Sequence, residues 1–462
     1  MLKEGNNATL SQQIDLTVRM SMPSIMAQIS AVVMQYIDAA MVGRLGAKSS
    51  AAIGLVSTST WLFWGLCTSI VSGFAVLVSH NVGAGKIEEA TNILRRSLPV
   101  VLAFSLLLSV AGLILASPLP LLLGGQPDVA ELSTQYFSIF SLALPALAMV
   151  FFSGAMLRSS GNFVIPGILN ISMCVMDVIF NFFFIYPSRI IHSGSISINI
   201  PGADMGVSGA ALGTAVAEII TAILMFGYLY FRSETFLLKE YKASWKPDWV
   251  IIKTALKISL PVGCEKTMMS MAAIVITAII APLGNVALAA DTFAITAESL
   301  CYMPGYGISD AASTIVGQCI GAGRRNLAKR FAKISVCCGI SIMTLTGIIL
   351  FAASRQMMNL LTPVDEIAEL GSRILKIEAF AEPMFGAAIV CYGVFVGAKD
   401  AFTPAAMNLF SIWVVRISAC AIMAPIYGLT GVWIAMSGEL CFRGIIFLLR
   451  FRSVRWLKIN KN

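Results

Sequence analysis

Long apolar stretches separated by short polar segments make up most of this 462-residue chain. Runs of about 20 or more apolar residues are long enough to cross a membrane as helices. The pattern predicts twelve such spans, at residues 16–42, 52–79, 97–117, 132–156, 163–186, 205–231, 250–280, 287–317, 332–353, 369–395, 402–425 and 430–450. Because the number of spans is even, we expect both termini on the same side of the membrane.

The twelve spans form two repeats of six. The stretch VSHNVGAGKIEEA at 78–90 has a counterpart, VGQCIGAGRRNLA, at 316–328. We call this displacement along the chain, from position 78 to position 316, the repeat offset. The same offset relates further pairs of prolines and asparagines: Pro23 and Pro261, Pro145 and Pro383, Pro166 and Pro404, and Asn170 and Asn408. Six spans return the chain to its starting side. The two halves are therefore expected to share one orientation, related by an axis along the membrane normal.

The repeat predicts an all-α membrane protein of twelve transmembrane helices in two pseudo-symmetric six-helix lobes. We expect an N-lobe at residues 1–231, a cytoplasmic linker at 232–249, and a C-lobe at 250–462 that ends in a short basic tail. The displacement becomes smaller where MGVSGA at 205–210 matches YGLTGV at 427–432. This shift predicts a longer outer loop, PSRIIHSGSISINIPGAD, between the fifth and sixth spans.

Charged residues make up 12% of the chain and hydrophobic residues 57%, whereas soluble domains carry about 25% charged residues. This composition excludes a soluble enzyme. The net charge of +8 does not indicate nucleic-acid binding, because the Lys and Arg residues are unevenly distributed. With a cytoplasmic N-terminus, 23 lie at cytoplasmic ends and loops, six lie outside and three lie within spans. The positive-inside rule then predicts a multi-pass plasma-membrane protein with both termini cytoplasmic.

Two sequence features that could suggest enzymatic or metal chemistry do not meet the requirements for it. VGAGK at 82–86 resembles the end of a P-loop, but His80 and Ile87 occupy positions where the motif needs Gly and Ser or Thr. The ten Cys form no CxxC pair and the only two His are far apart, so we expect neither a disulfide framework nor a structural metal site. We find no catalytic constellation, and we predict no enzymatic activity and no cofactor.

Acids inside the spans are the candidate functional residues. A carboxylate at the centre of a membrane helix costs about 2.5–3.5 kcal/mol, so it must face a cavity, pair with a cation or hold a proton. In the first half, Asp38, Asp177 and Asn181 fall in the outer half of the bilayer, and Thr214 falls at a similar depth. Together they predict a site for Na+ or for a shared proton. The alternative is a structural hydrogen-bond network.

In the second half, four glutamates are candidates for a substrate cavity: Glu265, Glu298, Glu378 and Glu382. The expected depths of Glu298 and Glu382 in the membrane favour these two as residues that line the cavity. Glu378 and Glu382 are expected to share one face of the tenth helix. Glu265 lies towards the cytoplasmic end, where a structural or snorkelling role is the alternative.

The repeat distinguishes these acids from the residues that the shared fold requires. Asp38 would correspond to Ile276, Asp177 to Val415, Glu298 to Thr60 and Glu382 to Leu144. Since the shared fold does not require the acids, their presence favours a function. Among the other charged residues within the spans, Glu439 and Arg443, four positions apart, predict a salt bridge, whereas Arg416 and Glu218 have no predicted partner.

Several stretches resemble signature segments of the MATE (multidrug and toxic compound extrusion) transporters: GRLGA, VSHNVGAGK, LRSSGN, MGVSGAALGT and PGYGISDAASTIVGQCIGAGR. The resemblance implies antiport, in which an organic cation or amphiphile leaves the cell while H+ or Na+ enters through alternating access. The family's N-lobe cation site maps onto Asp38, Asp177, Asn181 and Thr214. Here the fifth helix reads Asp-x-x-x-Asn, an order that differs from some members. The family's acids on helices 7, 8 and 10 correspond only loosely to Glu265, Glu298, Glu378 and Glu382.

The expected partners are small organic cations and the lipid bilayer, with no nucleic acid, and the protein is expected to be monomeric. The coupling ion would be H+ or Na+, and Na+ is the only metal ion expected. A lipid-linked oligosaccharide flippase of the same superfamily fold is the alternative function. The acidic cavity candidates and the count of twelve spans count against it. A channel or a receptor would leave the repeat unexplained.

Overall fold

The computed structural model describes residues 9–193, 196–236, 238 and 244–457. The helices of the first half are α1 (Leu10–Gly43), α2 (Ala47–Gly83), α3 (Ile87–Ala116), α4 (Pro118–Leu122), α5 (Pro127–Ser159), α6 (Val164–Ile185) and α7 (Gly206–Phe231). Those of the second half are α8 (Trp249–Ile280), α9 (Asn285–Gly321), α10 (Arg325–Leu361), α11 (Asp365–Glu378), α12 (Glu382–Gly397), α13 (Phe402–Phe410) and α14 (Ile417–Ser453). A π-helical segment, Ser411–Arg416, joins α13 to α14.

Local sequence signals explain several helix ends. Thr9 and Gln12 form a capping box at the start of α1, which satisfies backbone N–H groups that have no partner inside the helix. The Asp248 side chain accepts from Val250 N at the start of α8. The GAGK and GAGR turns end α2 and α9, with Gly85 at a φ of 74° and Gly323 at a φ of 72°. These left-handed values suit glycine, and they show that the two repeats make the same turn.

The number of membrane spans agrees with the prediction. In the described part of the chain, ten helices are long and apolar enough to cross a membrane, and α11 with α12, bent by 60°, would make an eleventh. The segment 402–453 counts as one of the ten, but Gly428 inside it has a φ of 59° and a ψ of −146°. A straight helix of 52 residues would be about 78 Å long, more than twice the apolar thickness of a membrane. Gly428 therefore divides this segment into two spans, which gives twelve.

The tenth span differs from the prediction. The helix ends at Glu378 and starts again at Glu382, so these two glutamates do not share one face of a continuous helix. Pro383 follows the break and occupies the first turn of α12, where its missing N–H costs no hydrogen bond. Its repeat partner Pro145 lies inside the uninterrupted α5. Proline at this position therefore does not by itself break the helix.

The predicted outer loop between the fifth and sixth spans contains a β-hairpin. Strands β1 (Pro187–Ser193) and β2 (Ile196–Ala203) pair antiparallel, with an irregularity between Pro187 and Arg189. Both strands are rich in isoleucine, whose branched side chain favours extended backbone. The hairpin adds a small β element to the otherwise helical lobes.

Hydrophobic clusters place both ends of the described chain on one face of the protein. Met20 of α1 and Phe447 of α14 belong to the same buried cluster as Trp456 and Leu457, which follow α14. We call this face the terminus side. A second cluster, with Phe74, Phe137 and Phe152 among its members, joins α2, α3, α5 and α7 into the body of the first half. Helices α1 and α8 each contribute to the cluster centred in the other half.

Candidate functional site

Three of the predicted N-lobe residues make direct contacts. Asn181 on α6 donates from Nδ2 to Asp38 Oδ1 on α1 at 2.8 Å and to Asp177 Oδ2 at 3.0 Å. Asp177 and Asn181 are fully buried, and Asp38 is partly exposed. One amide therefore bridges two carboxyl groups and holds them close together. Two carboxyl groups held in this way are suited to sharing one proton.

Thr214 completes the predicted set. Its hydroxyl donates to its own helix at Ala210 O, 3.2 Å away, and lies beside the Asp177 carboxyl group. The approach of α7 to α6 depends on Gly213, because a Cβ atom there would fall on the Asn181 side chain. The glycine thus lets two helices carry their polar side chains into one site.

Two buried oxygen atoms at this site have no hydrogen-bond partner in the described structure: Asp177 Oδ1 and Asn181 Oδ1. A buried acceptor without a partner is costly, and either a proton or a cation with oxygen ligands would relieve that cost. Among the described residues, no group of three or more His, Cys, Asp and Glu side chains is arranged to hold a metal ion. The oxygen atoms of this site therefore suit H+ or Na+ better than a transition metal.

Glu265 lies apart from the other C-lobe acids. It is 3% exposed, and it accepts hydrogen bonds from Asn408 at 2.6 Å and from Tyr392. The snorkelling alternative is wrong, because the side chain points into the protein. Tyr392 is ten residues beyond Glu382, which is about 15 Å along α12. The four glutamates predicted for one cavity thus occupy at least two places.

Glu298, Glu378 and Glu382 form a separate cluster around the break in the tenth span. They are close enough for mutual repulsion if all are charged. Ser437 donates to Glu378, whereas Glu378 Oε1 and both carboxyl oxygens of Glu382 have no partner in the described structure. All three side chains are buried. The cluster resembles the N-lobe site in having buried acceptors that are free to bind.

The predicted pair Glu439–Arg443 is present, and Arg416 has its partner there as well. Arg443 and Arg416 each approach Glu439 at 2.7 Å, and Ser411 donates to the same carboxylate. The sequence could not identify Glu439 as the partner of Arg416, because the contact depends on how the two helices of 402–453 pack. This carboxylate has every hydrogen bond it can use, which indicates a structural role.

Sequence reasoning missed Asp291 on α9. It is 5% exposed, and Trp433 Nε1 donates to its Oδ1 at 2.8 Å. The repeat provides a signal that could have found it, since the repeat offset pairs Asp291 with the apolar Ile53. Glu218, which had no predicted role, is buried in the N-lobe at 8% exposure.

The two halves meet on the terminus side through a contact that the repeat makes symmetric. His80 Nε2 bonds to Gly397 O at 2.8 Å, and Gln318 Nε2 donates to Ser159 O at 2.8 Å. The repeat offset maps His80 onto Gln318 and Ser159 onto Gly397. The two bonds are thus copies of one interaction, each made across the boundary between the halves.

Glycines bring the backbones together at the same place. A Cβ atom on Gly83 would collide with the Gln318 backbone, and one on Gly321 would collide with the His80 backbone. Gly83 and Gly321 are again repeat partners. Ten residues before Gly83 on α2, a further contact joins Gly73 N to Ser259 Oγ at 3.2 Å. The halves are therefore held closed on the terminus side.

A sequence model described as MatE matches residues 23–183 and 261–422. These two segments cover more than half of the chain, and their first residues, Pro23 and Pro261, are repeat partners. The chain belongs to the MATE family. This MATE transporter is a multi-pass membrane protein, as predicted from its spans.

Relatives and solved structures agree along nearly the full length. The chain is 28% identical over 454 residues to "Probable multidrug resistance protein NorM" of Agrobacterium fabrum, covering 94% of this chain and 92% of that one. It is 22% identical over 443 residues to the protein of the same name from Thermotoga maritima, covering 96% and 92%.

Two solved structures show the fold. One, described as the outward-facing conformation of a multidrug resistance MATE family transporter of the MOP superfamily, has a TM-score of 0.88 at 18% identity and covers 97% of both chains. The Vibrio cholerae MATE transporter VcmN in its bent form has a TM-score of 0.83 at 18% identity and covers 96% of this chain and 97% of that one. The twelve-helix architecture is thus that of MATE transporters.

Proposed function

We propose that this MATE transporter exports organic cations or amphiphilic compounds in exchange for H+ or Na+ that moves inward. The observation that carries the proposal is the Asp38–Asn181–Asp177 arrangement, with unpaired oxygens on Asp177 and Asn181. Such a site suits one monovalent cation, because a proton on the Asp177 carboxyl group or a Na+ among the oxygens gives a partner to an oxygen that otherwise has none. The names of the relatives, which refer to multidrug resistance, support the substrate class.

The C-lobe cluster of Glu298, Glu378 and Glu382 supplies the negative charge that attracts an organic cation. Glu382 is the strongest of the three candidates, since neither of its carboxyl oxygens has a described partner. Glu265 is a weaker candidate, because Asn408 and Tyr392 already bind its carboxylate. In this scheme the N-lobe site binds the coupling ion and the C-lobe cluster binds the substrate.

Alternating access follows from the closed contact between the halves. In the proposed orientation the terminus side is cytoplasmic, as the distribution of Lys and Arg predicts, and the protein lies in a bacterial plasma membrane. The structure then corresponds to a state closed towards the cytoplasm. Opening towards the cytoplasm requires the hydrogen bonds of His80 and Gln318 to break. Access from the cytoplasm therefore depends on a small number of defined contacts.

The alternative of a lipid-linked oligosaccharide flippase has no support from the relatives or from the site. A pyrophosphate-linked substrate needs cations in the cavity. In the described part of the chain, the unpaired buried atoms at the two candidate sites are instead oxygens, including carboxyl oxygens of Asp177, Glu378 and Glu382.

The test is ethidium efflux from liposomes that contain the purified protein, driven separately by a pH gradient and by a Na+ gradient. We expect one gradient to drive efflux by the unmodified protein and Asp38→Asn to abolish it. Glu366→Gln, an exposed acid on α11, is the matched control and should transport normally. Full gradient-driven efflux by Asp38→Asn would contradict the proposal.

A further inference from the structure

The repeat places basic residues after both turns on the terminus side, but the two lobes use them differently. In the N-lobe, Arg95 donates to Leu238 O and lies over the Trp245 ring at 5.1 Å. Arg96 pairs with Asp248. The segment that joins the halves therefore covers these cations, and one of its carboxylates neutralises part of their charge.

The C-lobe has no such covering segment among the residues that the structure describes. The first turns of α10 carry four exposed cations, Arg325, Lys329, Arg330 and Lys333. Arg325, Lys329 and Lys333 follow one another at intervals of four, so they share one face of the helix over about 12 Å. In the described part of the chain, none of the four forms an ion pair with a carboxylate.

The end of the described chain adds two cations on the same side of the C-lobe. Trp456 and Leu457 belong to the same large buried cluster as Leu327 and Phe331 of α10, and Arg452 and Arg455 beside them are exposed. Helix α12 packs against both α10 and α14, so these two arginines are not counted with the α10 cations. We call the four residues Arg325, Lys329, Arg330 and Lys333 the C-lobe basic face.

The position of this face determines which anion can reach it. The apolar part of α10 begins directly after Lys333, so the cations lie where the helix enters the bilayer. Long basic side chains at such a place extend towards the headgroups, and clusters of about four to eight of them attract anionic lipid. The N-lobe counterpart holds Glu88 and Glu89 where α10 has Asn326 and Leu327, and there Lys86 pairs with Glu89.

We propose that the C-lobe basic face binds the phosphate groups of anionic phospholipids, which take the place that the connecting segment has in the N-lobe. Several headgroups are held side by side along α10, and the lipid keeps the C-lobe end of the closed contact fixed at the membrane surface. This binding is independent of the substrate and of the coupling ion.

The test is native mass spectrometry of the full-length protein in detergent, titrated with phosphatidylglycerol or with phosphatidylcholine. We expect preferential retention of phosphatidylglycerol. In Arg325→Gln/Lys329→Gln, the affinity for phosphatidylglycerol should fall at least about five-fold, with that for phosphatidylcholine unchanged. The matched control is Arg19→Gln/Lys86→Gln, which removes the same charges from the same side, but from residues that pair with Asp15 and Glu89.

Equal retention of phosphatidylglycerol by both double variants would overturn the proposal, as would equal binding of the two lipids by the unmodified protein. If the Arg325→Gln/Lys329→Gln variant does not insert correctly, the single variants Lys329→Gln and Lys329→Arg replace it. The glutamine variant should lose phosphatidylglycerol and the arginine variant should keep it. Loss in both would contradict an electrostatic headgroup site.

Discussion

In the N-lobe, Asp38 and Asp177 face each other across the Asn181 amide, and oxygens of Asp177 and Asn181 remain unpaired. In the C-lobe, six buried acids divide among separate arrangements: Glu265, Asp291, Glu298, Glu378, Glu382 and Glu439. Three of these, Glu265, Asp291 and Glu439, have fixed partners on neighbouring helices. One repeat has thus produced a concentrated polar site in one lobe and a dispersed set in the other.

The positions that the lobes share have a different role. Gly83 and Gly321 make the same close approach, and His80 and Gln318 make the same hydrogen bond across the boundary. Matching positions of the two lobes therefore build the contact between the halves, whereas the proposed ion and substrate roles fall on acids present in only one lobe. Substitutions at residues of each kind should therefore have different effects.

The largest effect on stability is expected at Glu439. Replacing it with alanine removes the carboxylate from the buried Arg443 and from Arg416, whose side chain is 15% exposed. The loss should lower the free energy of unfolding by about 3–5 kcal/mol. Thermal unfolding in detergent measures the change. Glu366→Ala on the exposed first turn of α11 is the control, and equal stability of the two variants would show that the Glu439 network is not structural.

Replacing Asn181 should affect transport more than replacing Asn408, although both amides bind carboxylates. Asn181→Leu removes the amide that joins Asp38 to Asp177 and with it both hydrogen bonds to the carboxyl groups. A hydrogen bond to a charged group contributes about 1.5–3 kcal/mol. Gradient-driven efflux should fall about ten-fold or more. Asn408→Leu leaves the bond from Tyr392 to Glu265 in place, so its effect should be several-fold smaller. A larger loss in Asn408→Leu would reverse the assignment of the ion to the N-lobe.

A methyl group at Gly321 should push the halves apart on the terminus side. Its Cβ atom would collide with the His80 backbone, and overpacking of this kind costs about 1–3 kcal/mol. Double electron–electron resonance between spin labels at positions 86 and 324 should show a longer distance in Gly321→Ala. Gly438→Ala, where a Cβ atom meets nothing within 4 Å, should leave the distance unchanged.

The smallest effects are expected from the two symmetric hydrogen bonds. His80→Ala and Gln318→Ala each leave one carbonyl without its donor, on Gly397 or on Ser159. Each should weaken the closed state by about 0.5–1.5 kcal/mol, and the two shifts, followed with the same spin labels, should be similar. A large change in only one variant would mean that the contact is not symmetric in energy.

The sequence was sufficient to predict the twelve spans, because runs of apolar residues and the repeat offset are directly visible in it. It also predicted that Asp38, Asp177, Asn181 and Thr214 come together. Their depths follow from the rise of a helix, and Asp177 and Asn181 are one turn apart. In both cases, spacing along the chain fixes position in space.

The break between Glu378 and Glu382 could not be predicted in this way. Its proline has a repeat partner, Pro145, in a helix that stays continuous, so the difference depends on the packing around each helix. The partner of Arg416 depends on packing as well. Strands β1 and β2 lie where the repeat has no counterpart, which left the pattern of isoleucines as the local signal.

The assignment of the ion to the N-lobe and the substrate to the C-lobe is tested most directly by recording ion flux and ethidium flux in the same liposomes. The two variants to compare are Asp177→Asn and Glu298→Gln. We predict that Asp177→Asn abolishes ion flux and gradient-driven dye flux together, while Glu298→Gln weakens ethidium transport and retains its coupling to the ion. Normal coupled transport by Asp177→Asn would contradict this assignment of the ion to the N-lobe. Uncoupled ion flux in Glu298→Gln would contradict the assignment of the substrate alone to the C-lobe cluster.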